Sequence, residues 1–307
     1  MKRFYLLPIM ACAASPAFAQ DLNLSGPPGA APVPIQITAS QGITWSQDAQ
    51  TVTANGNAKA VRGDVTVTAD ELVAHYIKKP LSGSQPASSK PDTSAGTGNA
   101  SPLDQGSSQL TELDAIGHVH VYSTTDNAWG DRAVYSVGQQ VLILTGKNLK
   151  LTTRQDVVTA RDSIEYYAAE HKAIARGNAL ILASDGRSIA ADVITGYFES
   201  PANDSNQTQA MAQNADTLSQ GGSLKRVEAV GHVVIKTATD TATGDRGVYL
   251  PPTGQARLGG NVHIIHGQNE LAGSDALVNM KTGVATLLAA PGGQVSGIIL
   301  PGSGKAK

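Results

Sequence analysis

Apolar and polar positions alternate with a period of two over most of the chain. Val119 and Val121, for example, alternate with His118 and His120. A period of two is typical of a β-strand with one buried face. Short polar segments such as 124–127 separate the alternating stretches and predict turns. The pattern therefore predicts an all-β chain whose strands each bury one face.

The alternating pattern recurs in six copies of about 30 residues, and such repeats indicate a repeated structural unit. Each copy places an aspartate 14 or 15 residues after a glycine, or after Lys147 in one copy. The six pairs are Gly56 and Asp70, Gly117 and Asp131, Lys147 and Asp162, Gly177 and Asp192, Gly231 and Asp245, and Gly260 and Asp275.

Each copy predicts two strands, with the glycine in the middle of the first. A glycine within a strand marks a bulge or a bend. Bends at one level in every copy would fold the whole sheet along a crease, with an apolar inner face. We interpret the recurring aspartates as turn or strand-start residues, because one per copy is not the pattern of a catalytic site.

Composition and charge exclude several classes of protein. The formal net charge is −2 and aromatic residues make up 4% of the 307 residues. Strong nucleic-acid binding needs a basic face, and base stacking needs aromatic side chains, so no nucleic-acid partner is expected. The chain has one cysteine, which excludes an intrachain disulfide framework.

The first 19 residues resemble a secretory signal peptide. Lys2 and Arg3 precede the apolar segment 4–14, and an A-x-A site at 17–19 predicts cleavage between Ala19 and Gln20. We favour this interpretation over lipidation at Cys12. The expected location is the periplasm, where a chain that has lost its only cysteine suits an oxidising environment.

The remaining chain is expected to form one domain over residues 35–301, between a flexible segment 20–34 and a flexible tail 302–307. Two polar stretches without aromatic residues, 80–109 and 200–223, interrupt the repeats. Because the repeats resume beyond each stretch, we expect disordered surface insertions rather than linkers between domains.

Candidate catalytic chemistry is absent from the sequence motifs. The chain contains no phosphate-binding loop, no G-x-S-x-G elbow and no H-E-x-x-H motif, so no enzyme activity and no cofactor are expected. His118 and His120 could form half of a metal site, but we interpret them as solvent-facing residues and predict no metal.

An apolar inner face of a creased sheet could hold a lipid, because each methylene removed from water contributes about 0.8 kcal/mol. The same side chains could instead fill a closed core, and the sequence leaves both roles open. The candidate groove residues are Val119, Val121, Leu149, Leu151, Ile181, Val233, Ile235, Val262 and Ile264.

Both ends of the repeat array resemble one family. Near the N-terminus the resemblance lies in 35–39, 42–45, 51–58 and 65–76, and near the C-terminus in 258–262, 267–275, 281–283 and 295–301. These segments are similar to the OstA-like family of lipopolysaccharide-transport proteins, which includes the LptA, LptC and LptD N-terminal domains.

The resemblance implies an open β-jellyroll, folded like a taco, of about 14–16 antiparallel strands. It implies a non-enzymatic periplasmic bridge that shields the acyl chains of lipid A. An inner-membrane-anchored LptC-like protein would pair with the N-terminal edge, at 35–44, and an outer-membrane LptD-like translocon with the C-terminal edge, at 295–300. Copies could also associate head to tail. The candidate edge residues are Ile35, Ile37, Ile43, Val295, Ile298 and Leu300.

Two alternative interpretations remain open at this point. The first is a parallel β-helix, either an adhesin or a polysaccharide-active exported protein. The second is a soluble domain of an outer-membrane assembly protein. The first would show parallel coils of three strands, whereas each copy here predicts two strands.

Overall fold

The computed structural model describes residues 35–78, 108–199, 224–282, 284–289 and 293–298. These residues form one sheet of 18 strands in which every pairing is antiparallel, with one short 3₁₀ helix at Ala168–Glu170. The predicted all-β class is confirmed. Antiparallel pairing in the described residues contradicts the alternative of a parallel β-helix.

The 18 strands have the following bounds, in chain order. They are β1 (Gln36–Thr38), β2 (Gly42–Ser46), β3 (Thr51–Arg62), β4 (Val65–Lys78), β5 (Ser108–Tyr122), β6 (Asn127–Ser136), β7 (Val141–Thr145), β8 (Leu149–Thr152), β9 (Asp156–Ala160), β10 (Ser163–Tyr167), β11 (Lys172–Ala183), β12 (Ser188–Phe198), β13 (Leu224–Lys236), β14 (Asp240–Leu250), β15 (Gln255–His266), β16 (Asn269–Asn279), β17 (Val284–Leu288) and β18 (Ser296–Ile298).

A crease crosses the long strands at the recurring glycines. In β5 the pairing register with β6 breaks between Ile116 and Val119, where Gly117 has φ 77° and His118 has φ 44°. Two consecutive residues in the left-handed region bend the strand sharply. Glycine adopts this region freely, and asparagine and histidine tolerate it better than most residues do. Four other strands bend in the same way, at Gly56-Asn57, Gly177-Asn178, Gly231-His232 and Gly260-Asn261.

The crease divides the sheet into two walls. The first wall contains β2, β7, β10 and β17, and the second wall contains β1, β8, β9 and β18. Each long strand contributes one half to each wall. In β3, for example, residues 51–55 pair with β2, and residues 59–61 pair with β1.

The strand count of 18 exceeds the expected 14–16 because four creased strands are divided. In the third copy the chain breaks at Gly146–Asn148 and again at Arg161-Asp162, so that two strands become four. The two edge strands are divided in the same way, into β1 with β2 and β17 with β18. Counting each divided pair once gives 18 − 4 = 14 creased strands, which agrees with the expectation.

The recurring aspartates do not have the expected position. Asp70, Asp131, Asp192, Asp245 and Asp275 lie inside strands, at the crease of the returning strand, and only Asp162 lies in a turn between strands. A β-carbon added at Gly117 would lie 2.1 Å from Asp70 Oδ2, and one at Gly231 would lie 2.1 Å from Asp192 Oδ2. The aspartates of the first five copies therefore pack onto a glycine of the next copy, whereas Asp275 of the last copy lies near Gly259. These contacts between copies cannot be read from the sequence of one copy.

The first predicted insertion ends two residues too late. Ser108 and Gln109 already belong to β5, because the ladder with β4 continues to Lys78 and Ile77. The rest of that stretch, the stretch 200–223, the signal peptide 1–19 and the segments 20–34 and 302–307 lie outside the described residues. Among those described, no helix has the length and apolar character that a membrane span requires.

Candidate functional site

The space between the two walls contains the apolar side chains of the sheet. One cluster of buried side chains fills the N-terminal half, around Val119 and Leu149, and a larger one fills the C-terminal half, around Val233 and Val262. Both walls contribute to each cluster. Gly247 of the first wall illustrates their proximity, because a β-carbon added there would lie 3.4 Å from Val233 Cγ1 of the second wall.

All nine candidate groove residues lie on the second wall, because each follows the crease or begins after it. Seven are buried, whereas Leu151 and Ile181 are half-buried. Ile181 packs against the C-terminal cluster. The structure thus brings the predicted residues onto one inner surface. Whether they contact lipid or only fill the core stays a prediction.

The wall that faces these residues was not predicted from the sequence. Its inner surface near the crease is made by the residue two positions before each glycine, which is alanine in four strands and Leu258 in the fifth. All five side chains are buried. A recurring alanine at this position is a signal that could have identified the wall. The four alanines are Ala54, Ala115, Ala175 and Ala229.

On the second wall, the residue two positions after each glycine is also buried beside the crease. Ala58 and Ala179 follow their glycines by two positions on the second wall and are fully buried. In β5, β13 and β15 the same position is occupied by valine, at Val119, Val233 and Val262, and these side chains are buried as well.

A pocket of about 300 Å³ opens between the walls in the C-terminal half, at the side away from the crease. A volume of this size lies at the lower end of ligand pockets. Its apolar lining comes from both walls. The second wall contributes Ile235, Ala242 and Ile264, and the first contributes Val278, Met280 and Ala285.

Polar side chains surround the mouth of this pocket. Arg187 Nε donates to Asp185 Oδ2 at 2.6 Å, and His266 Nδ1 lies 2.5 Å from Asp240 Oδ1. Burial raises the pKa of Asp240, but hydrogen bonds from Thr239 and His266 outweigh that effect and hold the pKa below its usual value. The charged side chains therefore lie around the mouth of the pocket, and apolar side chains line its interior.

At the N-terminal end the inner surface is open. Ile43 and Trp45 of β2 lie opposite Ala54 and Val52 of β3, and therefore point inward, yet 51% and 44% of their surfaces are exposed. Trp45 Nε1 donates to the hydroxyl of the buried Tyr76. No further strand covers Ile43 and Trp45 in the described part of the chain.

The histidines of the candidate half-site lie on the outer surface. His118 is exposed and bonds to Asp70, and His120 stacks on Trp129. The two imidazoles contact different residues and do not form half of a metal site together. Within the described residues, the one group of three side chains that could hold a metal ion is His75, Glu112 and Asp114 on the outer face of the first wall.

Comparison with known proteins finds a similarity in the N-terminal half. Residues 36–172 match the sequence model of the family described as LptA/(LptD N-terminal domain) LPS transport protein. This segment, called the LptA-like segment, is similar to that family. The predicted resemblance is confirmed for this segment, which extends from β1 to the beginning of β11.

Among solved structures, the chain is similar to LptH from Pseudomonas aeruginosa, the LptA-homologous periplasmic component of a lipopolysaccharide transport device. The identity is 15% and the TM-score is 0.37, over 48% of this chain and 95% of LptH. No curated protein matches the chain. The creased geometry of the LptA-like segment continues beyond residue 172, because β13 and β15 bend at Gly231 and Gly260 as β5 does at Gly117.

The sheet that begins with the LptA-like segment has two edges that are unpaired in the described residues. β1 and β2 form the N-terminal edge, with Ile35 beside β1, Ile37 in β1 and Ile43 in β2. β17 and β18 form the C-terminal edge. Strand β17 was not predicted from the sequence, because the C-terminal edge was expected at residues 295–300. Ile298 lies in β18, Val295 lies directly before β18, and Leu300 is outside the described residues.

Proposed function

We propose that the protein is a periplasmic carrier that holds the acyl chains of lipopolysaccharide between its two walls. The observation that carries this proposal is an apolar interior that opens to solvent, in a sheet whose N-terminal half matches a lipopolysaccharide-transport family. Apolar surface that stays accessible in a monomer indicates a binding site for another apolar molecule.

The binding energy would come from the hydrophobic effect. Each methylene that enters the interior contributes about 0.8 kcal/mol, so a lipid with several acyl chains needs no specific polar contact to bind. The apolar lining of the pocket is aliphatic and includes no bulky aromatic side chain, which leaves space for a flexible acyl chain. The charged mouth at Arg187 and Asp240 leaves the polar part of the lipid in water.

Directional transfer would use the two sheet edges. An extended segment of another protein can add to an unpaired edge strand through backbone hydrogen bonds. We propose that an LptC-like inner-membrane protein pairs with β1 and β2, and that an LptD-like translocon pairs with β17 and β18. Head-to-tail pairing of copies would use the same two edges. In each case the sheets would continue, and the apolar interiors would form one path.

We further propose that the protein acts as a carrier rather than an enzyme. Five of its six recurring carboxylates contact glycine, histidine or asparagine of the next copy at the crease, which is a structural role.

Photo-crosslinking in cells that synthesise lipopolysaccharide tests the proposal. A photoreactive amino acid at Ile235 or Met280 faces the interior. The same group at Val234, next to Ile235, or at Leu277, three residues before Met280, lies on the outer face. We expect capture of lipopolysaccharide at the two interior positions, at least about tenfold above the outer ones. Equal capture on both faces, or none at the interior positions of a folded protein, would contradict the proposal.

Depletion of the protein tests whether it transports lipopolysaccharide or only binds it. If the protein carries lipopolysaccharide across the periplasm, newly made lipopolysaccharide should accumulate at the inner membrane after depletion. A normal rate of arrival at the outer membrane would contradict the transport role, even if crosslinking succeeds.

A further inference from the structure

A cluster of three potential metal ligands lies on the outer face of the first wall. His75 is in β4, and Glu112 and Asp114 are in the adjacent strand β5. These positions alternate with the buried residues Ala74 and Ala115, so the three side chains point away from the interior. One ligand atom from each lies within 4.8 Å of the others. The cluster is therefore independent of the proposed lipid site.

The distance between two of these groups suits a shared ion better than a direct bond. His75 Nε2 lies 3.5 Å from Asp114 Oδ2, which is beyond the usual length of a hydrogen bond. Two ligands of one tetrahedral Zn²⁺, each with a bond of about 2.1 Å, are separated by about 3.4 Å. Glu112 is half-exposed, so its side chain can move to complete the set.

Neighbouring residues hold two of the three potential ligands, Asp114 and His75, in place. Asp114 is buried, with 7% of its surface exposed, and Arg132 donates to its Oδ1 at 2.8 Å. Oδ2 is thereby left facing His75. The backbone of His75 is held by Thr111, whose hydroxyl donates to the carbonyl oxygen at 3.1 Å. Such outer contacts orient the ligands of protein metal sites.

A buried carboxylate elsewhere on the same wall provides a contrast. Both oxygens of Glu165 accept hydrogen bonds, from Ser163, Tyr167 and Arg176. That carboxylate has no oxygen available for an ion. Asp114 is also buried and also paired with an arginine, yet one of its oxygens faces an imidazole and a second carboxylate.

We propose that His75, Glu112 and Asp114 bind a divalent transition-metal ion, with Zn²⁺ as the best fit. One imidazole and two carboxylates are ligands that Zn²⁺ accepts, and the outer side of the cluster leaves a position for water. The ion would link β4 to β5 close to Lys78 and Ser108, where the two strands end and begin. Its role would be to hold the end of β4 and the beginning of β5 together.

Calorimetric titration of the full chain with Zn²⁺, without a polyhistidine tag, tests the site. We expect one ion per chain, with at least about 100-fold weaker binding in His75→Ala and a clear loss in Glu112→Gln. His118→Ala is the matched control, because it removes an exposed histidine that bonds to Asp70 but has no third ligand. Asp114 is left unchanged, since a substitution of this buried group could disturb folding.

Two further measurements make the outcome decisive. Zn²⁺ at a hundredfold excess over Kd should raise Tm by about 5–10 °C in the unaltered chain and in His118→Ala, but not in His75→Ala. Mg²⁺ should bind at least about 100-fold more weakly, because it disfavours imidazole. No Zn²⁺ binding, unchanged binding in His75→Ala, or loss of binding in His118→Ala would each overturn the proposal.

Discussion

At the scale of single residues, the crease depends on two consecutive left-handed backbone conformations. Gly231 has φ 80° and His232 has φ 48°, and the same pair of angles recurs in the other creased strands. The first position leaves no space for a side chain, because an aspartate of the neighbouring strand packs against it. The second position has a side chain that binds this aspartate, as His232 does with Asp192 at 2.8 Å. One local motif thus sets both the bend and its contact with the next strand.

Gly231→Ala should destabilise the protein more than Gly186→Ala. Both glycines have a positive φ, which costs roughly 1–2 kcal/mol for alanine. At Gly231 the new β-carbon would also displace Asp192, whereas nothing lies within 4 Å at Gly186. We expect the free energy of unfolding in urea to fall by at least about 1 kcal/mol more for Gly231→Ala. An equal decrease in the free energy of unfolding for both variants would show that the contact with Asp192 does not contribute to stability.

The crease histidines should titrate above their usual pKa. A hydrogen bond that His232 donates to Asp192, together with the negative charge of Asp192, raises the pKa of His232 from 6.5, and Asp70 does the same for His118. The stabilisation from a raised histidine pKa is complete below pH 6.5 and is lost as pH rises through the raised value. In Asp192→Asn, NMR titration should show the pKa of His232 falling towards 6.5 while that of His118 stays raised. A parallel change of both histidines would contradict the assignment.

At the scale of elements, the alternation of apolar and polar residues predicted the strands, but it did not predict the contacts between copies. The spacing of glycine and aspartate located five creases because each bend needs a glycine within a few residues. The division of the third copy into β7 to β10 was not predicted, since Lys147 replaces the glycine there and the left-handed conformations fall on Gly146 and Asn148. The cluster of His75 with Asp114 was also missed, because it depends on the register between β4 and β5. A single-strand pattern contains no information on that register.

Cross-strand ion pairs on the outer face should stabilise the first wall. Burial raises the pKa of Glu165, but hydrogen bonds from Arg176, Ser163 and Tyr167 outweigh it and place the pKa below 4.5. The resulting stabilisation is present above pH 4.5 and is lost as pH falls through the lowered pKa. We expect Glu165→Gln to lower the free energy of unfolding by about 1–2 kcal/mol at pH 7, since Arg176 is partly exposed and screened.

Chemical denaturation at two pH values checks this expectation. The difference between Glu165→Gln and the unaltered chain should be smaller at the lower pH, because the stabilisation is lost as pH falls through the lowered pKa of Glu165. Arg161→Gln, which breaks the exposed pair with Asp162, should leave the unfolding midpoint unchanged at both values. A difference for Glu165→Gln that does not depend on pH would assign its effect to packing.

At the scale of the whole molecule, the fold leaves apolar surface accessible at the places where a closed sandwich would cover it. The inward side chains of β2 are exposed at one edge, and the pocket opens between the walls near the other. The crease keeps the walls together along one side only, and the polar groups around Arg187 lie at the open side. The same geometry therefore supplies stability at the crease and a candidate lipid site at the opening.

A bulky side chain at the pocket should block lipid without unfolding the protein. Ala285 of β17 points into the pocket and is half-buried, whereas the next residue, Thr286, is exposed on the outer face. Ala285→Trp would fill part of the 300 Å³ space, and Thr286→Trp places the same side chain outside on the same edge strand. If acyl chains occupy the pocket, displacement of a fluorescent fatty acid by lipid A should weaken at least about tenfold in Ala285→Trp alone. Equal weakening in both variants would assign the effect to the edge strand, and unchanged displacement in both would place the acyl chains elsewhere between the walls.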